Sequence, residues 1–278
     1  HLGIDAIGLN AETPARRTSW VRNRGREVLA RVKLFIDVVR GVHPDIKEPM
    51  VSDFTKRTPD VLSVSHLKTG YGDLIRLKPD MSRLQMEMVC GRIPSAKNDS
   101  IILAFAGAFT GTEFDKGHAN VAGDHVAGGK RFKGYRCKRN TGAFTWSAKS
   151  GPQFFYKDYS PAFDKAAREG GMGFAQEMMI HHGHKVPTTR TSGNKNVFRA
   201  LCLDSGGTLA FYESQGIVTF GNFIDALLSQ GVKEALYTDM GQGWNYCFYR
   251  TNNSDTSPKY LHSTSLPYAS NFITIKIR

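Results

Sequence analysis

The chain has 278 residues, of which 40% are hydrophobic, and its 37 lysines and arginines against 25 acidic residues give a net charge of +12. This length is enough for one large domain or two modest ones with a substantial core. No run approaches the ~20 consecutive apolar residues that a membrane-spanning helix needs, and the four cysteines lack the spacing of a zinc ribbon or a thioredoxin-type dithiol. The charge indicates attraction to an anion without identifying that anion.

The first fifty residues differ from the rest of the chain. Apolar side chains between Trp20 and Val39 recur at helical spacing, and Pro44 ends the pattern, which predicts a helix over about Arg26–Arg40. Many of the arginines lie in the same segment. We therefore predict an N-terminal extension, residues 1–50, whose helix packs on a domain of residues 51–278. A partner-binding or membrane-surface helix is the alternative.

Strand patterns dominate from residue 51 onward. Apolar Leu84, Met86 and Met88 alternate with polar neighbours, as is typical of a half-buried strand. Other short apolar runs between turn residues predict further strands. The predicted strands in this region are Val61–Val64, Leu74–Leu77, Leu84–Val89 and Ile101–Phe105.

The segment between Phe109 and Gly151 is rich in glycine, which predicts long loops that can line a substrate groove. Within it, the basic run Lys130–Arg139 favours a solvated surface, with recruitment of an anionic polymer as the alternative. His118 and His125 flank a glycine loop and are candidates to face the groove. A short helix is predicted at about Phe163–Glu169.

The most informative stretch runs from Phe198 to Arg250. Two apolar runs around the turn residues 204–207 predict a β-hairpin, and apolar positions from Phe223 to Val232 predict a helix that ends at Gly231. The following strand, residues 235–238, ends at Asp239 beside a glycine-interrupted loop. A carboxylate is thus predicted at a strand end next to backbone N–H groups.

The cysteines and clustered histidines do not predict a metal centre. Cys202 and Cys247 lie in apolar runs, which favours buried thiols over a disulfide. His182 and His184 share one side of a strand whereas His181 does not, and Gly183 favours an exposed hairpin tip over a metal site or a sugar contact. We therefore expect no metal and no cofactor.

The ordered motifs resemble those of the phosphodiester glycosidase family, and the chain is similar to a divergent, bacterial-type member. The resemblance covers roughly Leu74 to Ile277. It implies an α+β fold with mixed, largely antiparallel twisted sheets flanked by a few helices. The matching segments are AFAGAFTG (104–111), EMMIHHGHKV (177–186), FRALCLDSGGTLAFYES (198–214), NFIDALLSQGVKEAL (222–236) and YTDMGQGWN (237–245).

The chain departs from the family pattern in two loops. Ala106 and Ala108 replace an asparagine and a glycine of the family pattern A-x-N-G-G-F-F. After Asp239, Met240-Gly241-Gln242 replaces three glycines, and Gly243 replaces a serine. These departures bear on the activity more than on the fold.

The resemblance implies roles for particular residues. Arg199 falls on the family's arginine and is the expected phosphate clamp, because a guanidinium offers paired donors; a structural ion pair is the alternative. Asp239 falls on the family's aspartate and is expected to orient the sugar or to act in acid/base catalysis, with capping of a turn as the alternative.

Further donors and a second carboxylate are also expected at this site. Gly107, Gly241, Gln242 and Gly243 would provide backbone N–H groups for phosphate, and His118 would contact substrate. Glu177 is the candidate second carboxylate, with a solvated strand face as its alternative. Glu113 and Asp115 are the next candidates for this second carboxylate. Three aromatic residues would stack on a sugar or lie in the core: Trp146, Trp244 and Tyr246.

Three functions follow for comparison. The leading hypothesis is hydrolysis of a glycosyl-1-phosphodiester in an envelope or extracellular glycan, by an exported protein whose leader is not in this chain. A catalytically impaired relative that binds a sugar phosphate or an anionic glycan is the alternative, which the altered glycine loops favour. A basic nucleic-acid-binding protein is the third; nucleic acid is an unexpected partner because no recognised module is present.

Overall fold

The computed structural model describes residues 59–111, 117–188, 190–191, 193–241, 245–262 and 271–278. The chain divides into two units, His1–Arg57 and Thr58–Arg278, and every described residue belongs to the second. The predicted N-terminal extension and its helix lie outside the described residues, so the domain division at residue 50 stays a prediction.

A seven-stranded antiparallel sheet contains most of the stretch that the sequence marked as informative. Strands are numbered in chain order. In spatial order its strands are β1 (Leu62–Leu67), β2 (Leu74–Pro79), β14 (Leu209–Ser214), β13 (Arg199–Asp204), β16 (Val232–Tyr237), β10 (Met178–His181) and β11 (His184–Lys185). The predicted hairpin is confirmed as β13 and β14, which pair from Arg199 opposite Glu213 to Leu203 opposite Leu209.

Two five-stranded sheets contain most of the remaining strands, again with antiparallel pairing. The first consists, in spatial order, of β18 (Lys259–His262), β17 (Cys247–Tyr249), β4 (Ile101–Ala106), β19 (Asn271–Ile277) and β3 (Leu84–Cys90). The second consists of β6 (Lys130–Phe132), β5 (His125–Ala127), β9 (Met172–Gln176), β7 (Gly142–Ser147) and β8 (Gly151–Tyr156). A short pair joins β12 (Lys195–Asn196) to β15 (Val218–Thr219).

Two α-helices and one 3-10 helix accompany the sheets in the described part of the chain. They are α1 (Ser160–Arg168), α2 (Phe220–Ser229) and the 3-10 helix Gly117–Asn120. The Thr219 side chain caps α2 by accepting the N–H of Asn222 at 3.1 Å. Gly231 follows the helix with φ of +75°, a conformation that favours glycine. The predicted helices at Phe163–Glu169 and from Phe223 are confirmed as α1 and α2, and each begins three residues earlier than the sequence pattern placed it.

The seven-stranded sheet buries both of its faces. Because successive strand residues point to opposite sides, Leu201 and Leu236 enter the main core shared with the other sheets. Cys202 points the other way and packs beneath Phe223 and Leu227 of α2. The predicted α+β class with largely antiparallel sheets is therefore confirmed, and no helix among the described residues is both long and apolar enough to cross a membrane.

The turn after β4 is fixed by a buried amide from the other end of the chain. Asn271, which is 1% exposed, accepts the N–H of Ala108 at 2.7 Å and donates to the carbonyl of Ala108 at 2.9 Å. A Cβ at Gly107 would lie 3.2 Å from the Asn271 oxygen and 3.0 Å from Ile273, so glycine fits this close approach. The segment that follows β4 is thereby held in one position.

Replacing Asn271 tests this clamp. We expect Asn271→Ala to lower the free energy of unfolding by roughly 2–4 kcal/mol, because two buried backbone groups of Ala108 lose their partner. Urea denaturation measures the change. The exposed Asn253→Ala is the matched control and should stay within about 0.5 kcal/mol of the parent. Equal stability of the two variants would contradict the clamp.

Candidate functional site

Asp239 lies where two sheets meet. It follows the end of β16, and its backbone N–H donates to the carbonyl of Gly107 at 3.0 Å, directly after β4. The preceding Thr238 donates its N–H to the carbonyl of Arg199 at 3.1 Å. These bonds set the Asp239 loop beside residues 107–111. The predicted strand-end position of this carboxylate is confirmed.

A cleft of about 290 Å³ opens at this junction. It contains one carboxylate, two guanidinium groups and two aromatic rings, so it combines acidic, basic and stacking groups in a small volume. Its lining residues are Phe109, Thr110, Arg139, Arg190, Asn196, Tyr237, Asp239 and Gly241.

The carboxylate of Asp239 is in an environment that disfavours its charge. The residue is 7% exposed, and burial raises its pKa to about 6. Hydrogen bonds from backbone N–H groups, including that of Gly241 at 3.1 Å, and the charge of Arg190 act in the opposite direction without cancelling the effect. A carboxyl group with a pKa near 6 can exchange protons close to neutral pH.

Arg190 is held in place from two sides. Its Nε donates to Oε2 of Glu177 at 2.7 Å. Its guanidinium carbon lies 4.3 Å from the centre of the Tyr237 ring and 5.2 Å from that of Phe220. The guanidinium is therefore oriented before any ligand arrives. The sequence analysis missed this residue.

Glu177 is placed differently from either sequence-based expectation. It is 2% exposed, which contradicts a solvated strand face. Its Oε2 accepts from Arg190 and its Oε1 accepts from the hydroxyl of Thr188. Both carboxylate oxygens are thus engaged in holding the Arg190 loop. Its role as a second catalytic carboxylate stays a prediction, and this geometry favours a positioning role instead.

Arg199 is fully buried and is not among the residues that line the cleft. Its Nε and Nη2 lie 2.7 and 2.6 Å from Oε2 of Glu213, the residue directly opposite in the hairpin, and Nη2 donates to the carbonyl of Asn245 at 3.1 Å. Its Nη1 has no hydrogen-bond partner in the described part of the chain. This burial favours the structural ion pair, and the role of Arg199 as a phosphate clamp stays a prediction.

The expected glycine donors are already engaged. The N–H of Gly107 points to the carbonyl of Asn271 at 3.4 Å, and the N–H of Gly241 donates to Asp239. Both N–H groups thus have partners within the protein, and their donation to a phosphate stays a prediction. Gln242 and Gly243 lie outside the described residues, as do Glu113, Asp115 and Trp244.

His118 does not line this cleft, and its contact with substrate stays a prediction. Its ring stacks on Phe132 with the centres 3.5 Å apart, and its Nδ1 lies 2.8 Å from Nε2 of His125. Burial lowers the pKa of His118 below its usual range and that of His125 to about 4. Trp146 and Tyr246 are buried in apolar clusters, in agreement with the alternative prediction that they lie in the core.

The central basic run contributes to the cleft through one residue. Arg139 lines it, whereas Arg131 is engaged with Asp124 at 2.6 Å and with Asp164 at 2.8 Å. Within this run, Arg131 forms ion pairs inside the protein, whereas Arg139 lies at the cleft. Composition alone does not distinguish these two positions.

Three larger depressions, of about 490, 450 and 430 Å³, lie elsewhere on the surface. The first is bordered by β1, β2 and the turn before β14, the second by Arg131 and its neighbours, and the third by Thr141 and residues 157–160. The smaller cleft contains Asp239, a buried carboxyl group with a raised pKa. We therefore take the smaller cleft at Asp239 as the candidate site, because perturbed titration inside a cleft is the stronger indication of function.

Comparisons with known proteins identify the fold. No protein-family model and no curated protein matches the sequence. Among solved structures, the chain is similar to the catalytic domain of zebrafish N-acetylglucosamine-1-phosphodiester alpha-N-acetylglucosaminidase, auto-inhibited by its pro-peptide. The TM-score is 0.55 at 14% identity, over 80% of this chain and 86% of that one. A hypothetical protein from Synechocystis has a TM-score of 0.49 at 11% identity, over 78% of this chain and 62% of that one. The first match confirms the fold that the sequence resemblance implied.

The buried pair of Arg199 and Glu213 provides a stability test. We expect Glu213→Gln to destabilise the fold by about 3–5 kcal/mol, because it leaves the Arg199 charge buried without its counterion. The double replacement of Arg199 by Met and Glu213 by Leu should cost less than this single change. Chemical denaturation measures both. A loss of activity in an Arg199 variant is interpretable only beside this control, and a neutral Glu213→Gln would contradict the structural role.

The pKa of Asp239 predicts a pH-dependent stability. The native state holds a proton up to a pH of about 6, whereas an unperturbed aspartate loses it near 3.8. The native state therefore binds more protons in this window, and its free energy of unfolding falls as pH rises from about 4 to 6. Across this pH window, the free energy of unfolding of the parent should fall by at most about 3 kcal/mol relative to that of Asp239→Asn. Denaturation at several pH values measures this difference.

The matched control is Asp99→Asn, which replaces an exposed carboxylate outside the cleft. A constant difference between the parent and Asp239→Asn from pH 4 to 7 would show that the pKa of Asp239 is not raised.

Proposed function

We propose that this protein hydrolyses a glycosyl-1-phosphodiester bond in the cleft of Asp239, Arg190 and Arg139. The observation that carries the proposal is a single cleft that combines a buried carboxyl group, whose pKa is about 6, with two arginines. The fold, which is like that of a phosphodiester glycosidase catalytic domain, supports the same reaction class by analogy.

The substrate chemistry matches these groups. A glycosyl phosphodiester places an anion next to an acetal carbon, so its site needs a phosphate-binding group and a group that handles protons at that carbon. Arginine suits the phosphate, because its planar guanidinium donates paired hydrogen bonds to two oxygens. Arg190 is pre-oriented by Glu177, and Arg139 approaches from the basic run.

Asp239 acts as a general base in this proposal. Cleavage of the bond between sugar and phosphate releases a phosphomonoester, whose second pKa is about 6, so the leaving group needs little protonation. The attacking water does need to lose a proton, and the ionised Asp239 can accept it. One carboxylate lining the cleft, as found among the described residues, is then compatible with hydrolysis.

Two structural observations favour a second candidate, a relative that binds a sugar phosphate without turnover. Ala106, which replaces the family's asparagine, is buried in an apolar cluster with Tyr246 and Phe272. The N–H of Gly241 is engaged with Asp239 instead of being open to a ligand. Ala106 thus lacks the polar side chain of the family's asparagine, and the N–H of Gly241 is directed at Asp239.

Hydrolysis of a panel of sugar-1-phosphodiesters, including those of N-acetylglucosamine, distinguishes the two candidates. For the enzyme, Asp239→Asn should lower kcat by roughly a hundredfold to ten-thousandfold, the usual contribution of a general base. The parent's kcat/KM should rise with pH through about 6. Arg139→Ala should weaken binding, whereas Arg136→Ala, in the same basic run but outside this cleft, is the matched control.

The absence of turnover with every substrate, together with saturable binding that Arg139→Ala weakens, would replace hydrolysis by sugar-phosphate binding. Turnover that Asp239→Asn leaves unchanged would overturn the assignment of the site. An envelope or extracellular glycan as the source of the substrate belongs to this proposal and is tested by the panel members that the protein accepts. An exported location also belongs to it and is tested by fractionation of cells.

A further inference from the structure

Three potential ligand side chains meet away from the cleft. Cys90 is the last residue of β3, His118 lies in the 3-10 helix Gly117–Asn120, and His125 begins β5. The Cys90 sulfur and one ring nitrogen from each histidine all lie within 4.8 Å of one another. Cys90 is distant in sequence from the two histidines, so the spacing of motifs did not reveal this cluster.

Both imidazole rings are fixed by their surroundings. His118 lies parallel to Phe132, at an angle of 5° and a distance of 3.5 Å between ring centres. Nδ1 of His125 lies 3.3 Å from the carbonyl oxygen of Gly123. A carbonyl only accepts, so Nδ1 carries the hydrogen and Nε2 presents its lone pair to the cluster. A hydrogen bond from the second ring nitrogen to a carbonyl is the arrangement that orients histidine ligands in metal sites.

We propose that Cys90, His118 and His125 form a binding site for a borderline-soft divalent cation, with Zn²⁺ as the best match. A thiolate with two imidazoles is a donor set that suits zinc, which binds sulfur at about 2.3 Å and nitrogen at about 2.0–2.1 Å. Ligand atoms around such an ion are about 3.5 Å apart. The three ligand atoms already lie within 4.8 Å of one another, so small side-chain shifts would place them at three corners of a tetrahedron, with water as the fourth ligand.

The protons balance on binding. The cation displaces the hydrogen of the Cys90 thiol, which burial keeps protonated in the absence of metal, and one proton leaves to solvent. His118 now donates from Nδ1 to His125, so its hydrogen moves to Nε2 when Nδ1 takes the metal. His125 keeps its hydrogen on Nδ1 and coordinates through Nε2. No oxidant or reductant is needed.

A second cluster in the described residues offers a comparison. His181, His182 and Glu234 also place three potential ligand atoms within 4.8 Å of one another. Glu234 there accepts from both imidazoles and from the backbone N–H of His182, and the side chain of His182 is 77% exposed. This hairpin tip lacks a thiolate and has its carboxylate engaged, so the site at Cys90 is favoured.

The metal would connect two sheets. β3 is an edge strand of one five-stranded sheet, and β5 belongs to the other. An ion bound to Cys90 and His125 joins these strands directly, which assigns it a stabilising role. The site does not include the residues of the candidate catalytic cleft, and its existence does not depend on the proposed hydrolysis.

Cobalt substitution tests the site. The purified full chain, treated with a chelator and kept reduced with a phosphine, is titrated with Co²⁺. We expect one equivalent to produce a sulfur-to-cobalt charge-transfer band and the intense visible bands of tetrahedral Co²⁺, both removed by added Zn²⁺. Zn²⁺ should also raise Tm, because it binds the native state. Cys90→Ser should abolish the charge-transfer band, and His118→Ala should raise the dissociation constant by at least about 10–100-fold, the cost of losing even an outer-shell partner.

Two matched controls accompany these variants. Cys137→Ser replaces another partly buried thiol, and His182→Ala disrupts the second cluster; both should leave the spectrum and affinity unchanged. If Cys90→Ser fails to fold, the dissociation constant of His118→Ala for Co²⁺ decides the test, because His118 is less buried than Cys90. Absence of a charge-transfer band in the parent, or a signal that responds to His182→Ala and not to Cys90→Ser and His118→Ala, would overturn the proposal.

Discussion

The hydrogen bond from the backbone of Asp239 to the carbonyl of Gly107 is the constraint on which the candidate site depends. It joins the end of an interior strand of the seven-stranded sheet to the end of β4 in a different sheet. Asn271 fixes the other side of this junction by engaging both backbone groups of Ala108. These hydrogen bonds hold the two strand ends together beside the cleft, and the strand ends in turn position the adjoining loops.

The buried charged groups around this junction differ in how closely they are paired with an opposite charge. Arg199 is matched by Glu213, and Arg190 by Glu177, so each of these charges has a close counterion. Asp239 is stabilised by backbone N–H groups and by the more general field of Arg190, and burial still raises its pKa. The difference separates the paired charges from the one carboxyl group of the cleft whose pKa is raised, because a charge that is fully compensated has little tendency to exchange protons.

The likeness to a solved glycosidase domain concerns the scaffold more than the loops. At 14% identity the strand arrangement is retained. The end of β4 and the segments after β4 and β16 carry Ala106, Ala108 and Met240 in place of the residues of the family pattern. A scaffold tolerates such changes, because its stability rests on apolar burial spread over many strands. A site does not, because its chemistry rests on a few polar groups. The fold and the activity are thus separate questions here.

The sequence by itself determined the local elements: the β13–β14 hairpin, the helix that ends before Gly231, and the carboxylate at the end of β16. Each depends on neighbours in the chain, through the alternation of apolar residues and through the backbone freedom of glycine. Only the tertiary structure decided that Arg190 faces the cleft and that Arg199 is enclosed with Glu213. It also brought Cys90 to His118 and His125. The burial of these side chains and the choice of their partners depend on segments that are distant in sequence. A local sequence pattern does not show which of these segments come into contact.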